Sequence, residues 1–336
     1  MNRQARQLPS ALQRALLVLV TIVLLQGCSA EGAEEPVAHD GTGWEDIRET
    51  RWDDINRRFG QALERNRNLP VVYEDILGEG PESWDPDPRY PNGSVNCVTW
   101  LYLLLAETYS DQPEERHRVM DRIRYYDGHI GFGFRKHFTD QWMALDPKPL
   151  SRVDLSHCTE VDSHHVVLEP QTFASNVNYS CPLYHSNERE LDVPNVSSSG
   201  LVKCAGSLRP GYYIAFPLAG PRYLDRYGAK SGPMAQVHAV VLQVPPSTGK
   251  SPDAADVKVY HASIGKGRVV ETNLESYVWD MTVLFRGYAV YALDPDWDWR
   301  STRPLDEEGQ AVQACEETLQ GRVGEIFEAS AAPRIQ

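Results

Sequence analysis

The chain has 336 residues with a formal net charge of −14, and 41% of its residues are hydrophobic. This acidic balance argues against nucleic acid or an anionic lipid surface as the main partner, because both are bound through basic patches. From about residue 44 onward the chain is long enough to form one large domain with its own hydrophobic core.

Residues 1–27 have the pattern of an export signal, in which three arginines precede the apolar run 15–25. That run is too short to span a bilayer comfortably. It ends in Leu25-Gln26-Gly27-Cys28, which resembles a bacterial lipobox. The resemblance implies cleavage before Cys28 and attachment of lipid to this cysteine. The alternative is an ordinary secretory signal that is cleaved at another small residue.

A lipid on Cys28 would anchor the mature protein to a membrane that the chain itself does not cross. Ser29 follows this cysteine, and by resemblance to enteric lipoproteins the absence of Asp there implies the outer membrane. We therefore expect a lipid-anchored protein on the periplasmic face of a bacterial membrane. Residues 28–43 are small and acidic without periodicity, which predicts a flexible tether.

The folded part is predicted to begin with helices. Between residues 44 and 77, apolar side chains such as Trp52, Ile55, Phe59 and Leu63 recur at helical spacing among charged residues. The proline-rich span 81–91 interrupts this pattern. A later helix is predicted at 114–125.

A single cysteine, Cys97, stands just before an apolar run with helical spacing and just after the turn-forming residues 91–94. At the first turn of a helix, unpaired backbone N–H groups and the helix dipole favour the thiolate, which is the nucleophilic form. Cys97 is therefore a candidate nucleophile. The alternative is a small hydrophobe packed under the helix.

Residues 127–138 are rich in glycine and aromatic residues. This composition suits a loop that shapes a pocket, because glycines allow close approach and aromatic rings give contact area. The alternative is a strand and turn with ordinary core aromatics.

Residues 146–208 show no clean periodicity and are predicted to form an irregular insertion. An even set of four further cysteines in an exported chain predicts disulfides among Cys158, Cys181, Cys204 and Cys315, with three connectivities open. Metal binding is the alternative, since histidines 157, 164, 165 and 185 lie nearby. The paired two-residue cysteine spacing of a zinc site is missing, so no metal is predicted.

Four strands are predicted after the insertion, at 211–217, 236–244, 257–263 and 285–293. Helices first and consecutive strands second predict an α+β fold with an antiparallel sheet. His238 and His261 lie on successive strands, where side chains on one face come within contact range. A histidine beside a helix-start cysteine predicts a thiol hydrolase, with His238 as base and His261 holding its orientation. Each histidine alone would be interpreted as a core residue.

The order of cysteine and two strand histidines resembles the NlpC-type peptidases, which are papain-like bacterial cell-wall enzymes. More closely, the chain resembles the N-acetylmuramoyl-L-alanine amidase-like branch of that superfamily. The resemblance lies in Asn96-Cys97-Val98-Thr99, in the segment 124–130 (Arg-Tyr-Tyr-Asp-Gly-His-Ile), in Arg135-Lys136-His137-Phe138, and in Trp142, His238 and His261. It covers residues 44–293, interrupted by the insertion 146–208. We therefore expect one domain over residues 44–300 and a C-terminal tail over 301–336.

The resemblance implies a papain-like fold and cysteine-dependent hydrolysis of peptidoglycan or muropeptides. The scissile amide would join muramic acid to the stem peptide or lie within the stem. Arg135 and His137 are candidates for binding substrate carboxylates or amides, with an ion pair to local acids as the alternative. Tyr90 and Trp142 are further substrate-binding candidates. No metal or organic cofactor is needed. A non-catalytic peptidoglycan-binding lipoprotein and an acyltransferase remain the alternatives.

Overall fold

The computed structural model describes residues 42–72, 77–80, 83–137, 148–167, 174–185, 190–223, 238–246 and 249–331. Contacts divide the chain into a short unit, Met1–Trp44, and a second unit, Glu45–Gln336. The predicted export signal, Cys28 and most of the tether lie outside the described residues, as does Trp142. Within the described ranges, no helix combines the length and the apolar character needed to cross a bilayer.

The described elements place helices before most of the sheet. The helices are α1 (Thr42–Asn66), α2 (Cys97–Tyr109), α3 (Arg116–Arg124), α4 (Ser198–Cys204), α5 (Leu274–Met281) and α6 (Glu307–Ala331). The strands are β1 (Leu150–Arg152), β2 (Val161–Val167), β3 (Glu190–Val196), β4 (Gly211–Ala219), β5 (Val240–Val244), β6 (Lys258–Ser263), β7 (Arg268–Asn273) and β8 (Phe285–Leu293).

The strands form one sheet in the order β2-β3-β8-β4-β5-β6-β7, with β1 also paired to β8. Every pair of neighbouring strands described here is antiparallel. Strands that follow one another from β4 to β7 are neighbours in space, as consecutive strands usually are. This arrangement confirms the α+β prediction.

The sheet carries a hydrophobic core on each face. On one face, α1, α2 and α3 pack against strand residues such as Ile214, Val241 and Tyr260. On the other face, α4 and α5 pack against the alternate residues, such as Ala215 and Val240. Because both faces are covered, the central strands are continuous apolar runs, which is the pattern that made them predictable.

The first helix is shorter than its prediction, since α1 ends at Asn66 and not near residue 77. The chain then makes a turn and pairs Pro70 with Arg268 in an isolated bridge. Proline has no N–H to donate and disfavours helical geometry before it, which accounts for the earlier end. The apolar side chains that predicted the helix are buried, as expected: Trp52, Ile55, Phe59 and Leu63.

The stretch 146–208 is more regular than its prediction, because it contributes β1, β2, β3 and α4. Strand β2 is an edge strand with mostly exposed or half-exposed side chains, so its sequence has no strong apolar alternation. Strand β7 also lay outside the predicted strands. The segment 301–336, described from sequence only as a tail, contains α6.

Candidate active site

Cys97 is the first residue of α2, as its sequence context predicted. Asn96 caps this helix, because its Oδ1 accepts hydrogen bonds from the N–H groups of Val98 and Thr99, each at 2.9 Å. In return, Thr99 Oγ1 accepts from the Asn96 N–H at 2.8 Å, which completes a capping box. The Asn-Cys-x-Thr pattern therefore has a local structural role. It holds the helix start on which the thiol sits.

Cys97 is half-buried and is the one free cysteine among the described residues. Burial raises the pKa of its thiol to about 11, while hydrogen bonds from the backbone N–H groups of Ala239, Val98 and Cys97 lower it. The prediction of a thiolate at the helix start is therefore not met in this state, because desolvation outweighs the N–H groups. A neutral thiol needs a base to become nucleophilic.

The Ala239 N–H contacts the Cys97 sulfur, so the residue that follows His238 lies against the thiol. His238 lies just before β5, and His261 lies within β6, where it pairs with Val240. Nε2 of His238 is 3.4 Å from Nδ1 of His261, and the two rings meet edge to face. Thus the structure brings together the two histidines that the sequence analysis selected.

Both histidines are neutral near pH 7. Burial lowers the pKa of His238 to about 3, and the neighbouring His261 adds to this lowering. Burial also lowers the pKa of His261 to about 4. A neutral imidazole has an acceptor nitrogen, so the pair can take a proton from a neighbouring thiol.

Tyr277 is a residue of this site that the sequence analysis did not select. Its ring lies 5.2 Å from that of His261, centroid to centroid, and its hydroxyl interacts electrostatically with Cys97. The hydroxyl is buried and finds no hydrogen-bond partner among the described residues. Leu274, Tyr277 and Val278 have helical spacing after the cap residue Asn273, so the sequence indicates a helix there but not its position beside His261 and Cys97.

Arg135 forms the ion pair that was the alternative to substrate binding. Its Nε donates to Glu79 Oε1 at 2.6 Å, and a terminal nitrogen donates to Asp85 Oδ2 at 2.9 Å. Only 12% of the Arg135 side chain is exposed, and its guanidinium is paired with these two carboxylates. Burial raises the pKa of Glu79 in spite of the arginine.

The side chains of His137 and Tyr90 also form hydrogen bonds within the protein. His137 Nε2 donates to the Phe132 carbonyl at 2.7 Å, and burial, with the charge of Arg135, lowers its pKa to about 3. Tyr90 donates to Asp121 at 2.9 Å and stacks on His117 with 3.6 Å between ring centroids. Their proposed contacts with substrate stay predictions.

The glycine-rich segment, residues 127–138, contributes to two short 3₁₀ turns. Its aromatic rings Phe132 and Phe134 are buried, which agrees with the alternative that they are core residues. Two of its glycines, Gly131 and Gly133, face α6. Glu316 of that helix accepts from the Gly133 N–H at 2.7 Å and from the Tyr179 hydroxyl at 2.6 Å. A Cβ on Gly131 would lie 2.0 Å from Glu316 Oε2. The glycines thus allow the helix to approach.

The four remaining cysteines form two disulfides, Cys158–Cys204 and Cys181–Cys315. This confirms the predicted disulfides and selects one of the three open connectivities. Cys158 and Cys181 belong to different bridges, so they do not share a metal site. The second bridge ties α6 to the loop that carries Tyr179.

Comparison with known proteins gives the class of the fold. Residues 73–208 match the family model described as N-acetylmuramoyl-L-alanine amidase-like. That range includes Cys97 but neither His238 nor His261. No curated protein matches the chain in sequence.

Several solved structures resemble the chain in fold. A protein from Legionella pneumophila, described with the DUF1460 family, is 15% identical with a TM-score of 0.55, over 75% of this chain and 97% of that one. Two structures of an N-acetylmuramoyl-L-alanine amidase from Bacteroides uniformis are 16% and 17% identical, with TM-scores of 0.51 and 0.52. They cover 71% and 73% of this chain and 99% of the amidase chains. At these identities the similarity shows a shared fold.

Proposed function

We propose that this protein is a cysteine-dependent amide hydrolase that acts on peptidoglycan or its muropeptide fragments. The observation that carries the proposal is the contact of the Cys97 sulfur with the N–H of Ala239, the residue after His238, together with the contact between the rings of His238 and His261. The match of residues 73–208 to the amidase-like family and the amidase-like fold support the same substrate class.

In the proposed mechanism, His238 takes the proton of the Cys97 thiol as the sulfur attacks the scissile carbonyl carbon. The backbone N–H of Cys97 is not one of the two groups that Asn96 caps, and it donates to the developing oxyanion. His238 then protonates the departing amine, which leaves a thioester on Cys97. The same histidine deprotonates a water molecule that hydrolyses the thioester and restores the thiol.

His261 fixes the ring of His238 through the contact between their nitrogens. We further propose a papain-like, NlpC-type architecture, since a nucleophile at a helix start next to strand histidines is its arrangement. A lipid on Cys28 and a location on the periplasmic face of a membrane complete the proposal, on the strength of the sequence pattern.

The test is digestion of purified peptidoglycan fragments by the protein and by its Cys97→Ala variant, read by mass spectrometry. Release of a whole stem peptide by the first protein only establishes an amidase, and cleavage within the stem establishes an endopeptidase. Equal cleavage by the variant would refute the role of Cys97. Products with a new acyl acceptor would show a transferase, and no cleavage by either protein would favour a binding role.

A further inference from the structure

A groove of about 910 Å³ lies between α4 and α5, beside the candidate active site. Phe285, at the start of β8, belongs to its lining. The ring of Phe285 also stacks near that of His238, with 6.3 Å between centroids. One end of the groove therefore lies next to the proposed base.

Trp279 of α5 lines this groove with 81% of its surface exposed. No other large hydrophobic side chain in the described ranges exceeds 49% exposure. An exposed indole offers a broad apolar face with one N–H donor, which suits a ligand that has both apolar faces and polar edges.

The rest of the lining combines apolar and hydrogen-bonding groups. Val202, Val278 and Phe285 are apolar, and hydroxyls come from residues 197–199, Ser276 and Thr282. The charged lining residues are Glu275, Asp280 and Arg286, which leaves the groove with one net negative charge. This charge disfavours an anionic ligand such as a phospholipid headgroup or nucleic acid.

We propose that this groove binds the glycan strand of peptidoglycan, with Trp279 stacking on an N-acetylated hexosamine. A hexosamine ring presents C–H groups on its faces and hydroxyl and amide groups at its edges, which matches the indole and the hydroxyl-rich lining. The choice of glycan rests on the proposed function, because an amide bond to muramic acid places a sugar directly beside the thiol.

The test measures binding without any cleavage. Glycan strands built of N-acetylglucosamine alone, which carry no muramic carboxylate and are neutral, are titrated by calorimetry into the full protein, and into Trp279→Ala, Trp279→Tyr and Val167→Ala variants. Val167 is a matched control, since it is 45% exposed and lies on β2, at the end away from α4. Circular dichroism establishes that each variant is folded.

We expect the strands to bind the parent protein and the Val167→Ala variant equally. The Trp279→Ala change should weaken binding at least tenfold, and Trp279→Tyr should restore most of it because tyrosine keeps an aromatic face. No binding by the parent protein, or equal binding by all variants, would overturn the proposal. So would a loss on Trp279→Ala confined to binding of phosphatidylethanolamine–phosphatidylglycerol vesicles.

Because these glycans contain no scissile amide, their binding is independent of hydrolysis. Trp279-dependent binding by a protein that cleaves no peptidoglycan would support the groove and refute the proposed function. Cleavage of peptidoglycan with no such binding would support the proposed function and refute the groove as a glycan site.

Discussion

Nε2 of His238 faces Nδ1 of His261 at 3.4 Å, with both rings neutral. One nitrogen of this contact donates and the other accepts. When His238 donates, its second nitrogen, Nδ1, is left as the acceptor that a thiol proton requires. His261 would then set the tautomer of the base, which is a positioning role.

Replacing His261 should separate this role from a purely structural one. We expect His261→Ala to lower kcat by about 10²- to 10³-fold with little change in KM, because the base loses its fixed tautomer. The His261→Asn variant, whose side-chain oxygen can accept from Nε2, should recover part of that loss. Steady-state kinetics on a muropeptide substrate test both; equal losses in the two variants would contradict the positioning role.

The lowered histidine pKa values predict activity well into the acid range. An ordinary histidine base, with a pKa near 6.5, loses activity tenfold for each pH unit below that value. With the pKa of His238 at about 3 and that of His261 at about 4, kcat/KM should stay within about twofold between pH 7 and pH 5. An acid limb with an apparent pKa near 6.5 would be inconsistent with burial of the pair.

The same shifts reduce stability in acid, and the sign follows from linkage. In the unfolded chain both histidines bind protons below about pH 6.5, whereas the folded state resists protonation until about pH 4 or lower. The free energy of unfolding should therefore fall as the pH drops through this window. Circular dichroism at each assay pH separates this loss of fold from titration of the base.

The cap at Asn96 should matter for both stability and catalysis. We expect Asn96→Ala to lower the free energy of unfolding by about 1 kcal/mol and to reduce kcat, because the helix start under Cys97 loosens. Asn96→Asp should be tolerated, since a carboxylate accepts the same N–H groups.

Asp306→Ala is the control for this cap. Asp306 Oδ1 accepts from the Gly309 N–H at 2.9 Å at the start of α6, which is a different helix from the one that begins at Cys97. The Asp306→Ala change should lower the free energy of unfolding by a similar amount, as measured by denaturant unfolding, and leave kcat unchanged. If the two variants lose the same activity, Asn96 has no specific connection to the thiol.

The approach of α6 to the glycine-rich segment should make Gly133 intolerant of a side chain. A Cβ there would lie 2.6 Å from Val312 Cγ1 and 2.7 Å from the Tyr179 hydroxyl oxygen. We expect Gly133→Ala to lower the free energy of unfolding by about 2 kcal/mol through overpacking. Gly321, on α6, has open space around it, so Gly321→Ala should stabilise by about 0.5–1 kcal/mol. Chemical denaturation would measure both changes.

Several features of the protein follow from local sequence. The Asn96-to-Thr99 pattern determines a capped helix start, and the spacing of Trp52, Ile55, Phe59 and Leu63 determines the buried side of α1. The apolar runs of β4, β5, β6 and β8 are visible because the sheet is covered on both faces. Each signal depends on residues a few positions apart, so it can be read without knowing the fold.

Ion pairs, disulfide pairing and the edge strand depend on contacts between distant segments, so only the tertiary structure decided them. Arg135 forms ion pairs with Glu79 and Asp85, and Cys181 forms a disulfide with Cys315. In each case 50 or more residues of chain separate the partners. The edge strand β2 forms because β3 pairs with it, although its own sequence has little apolar alternation.

The protonation state of the proposed catalytic groups also depends on distant segments. A helix start by itself favours thiolate, but burial by the packed sheet and helices raises the pKa of Cys97 and lowers those of His238 and His261. The sequence by itself selected the residues that we propose to react. Desolvation by residues far away in the chain decided their charge, because the energy of a charge depends on the groups that surround it in space.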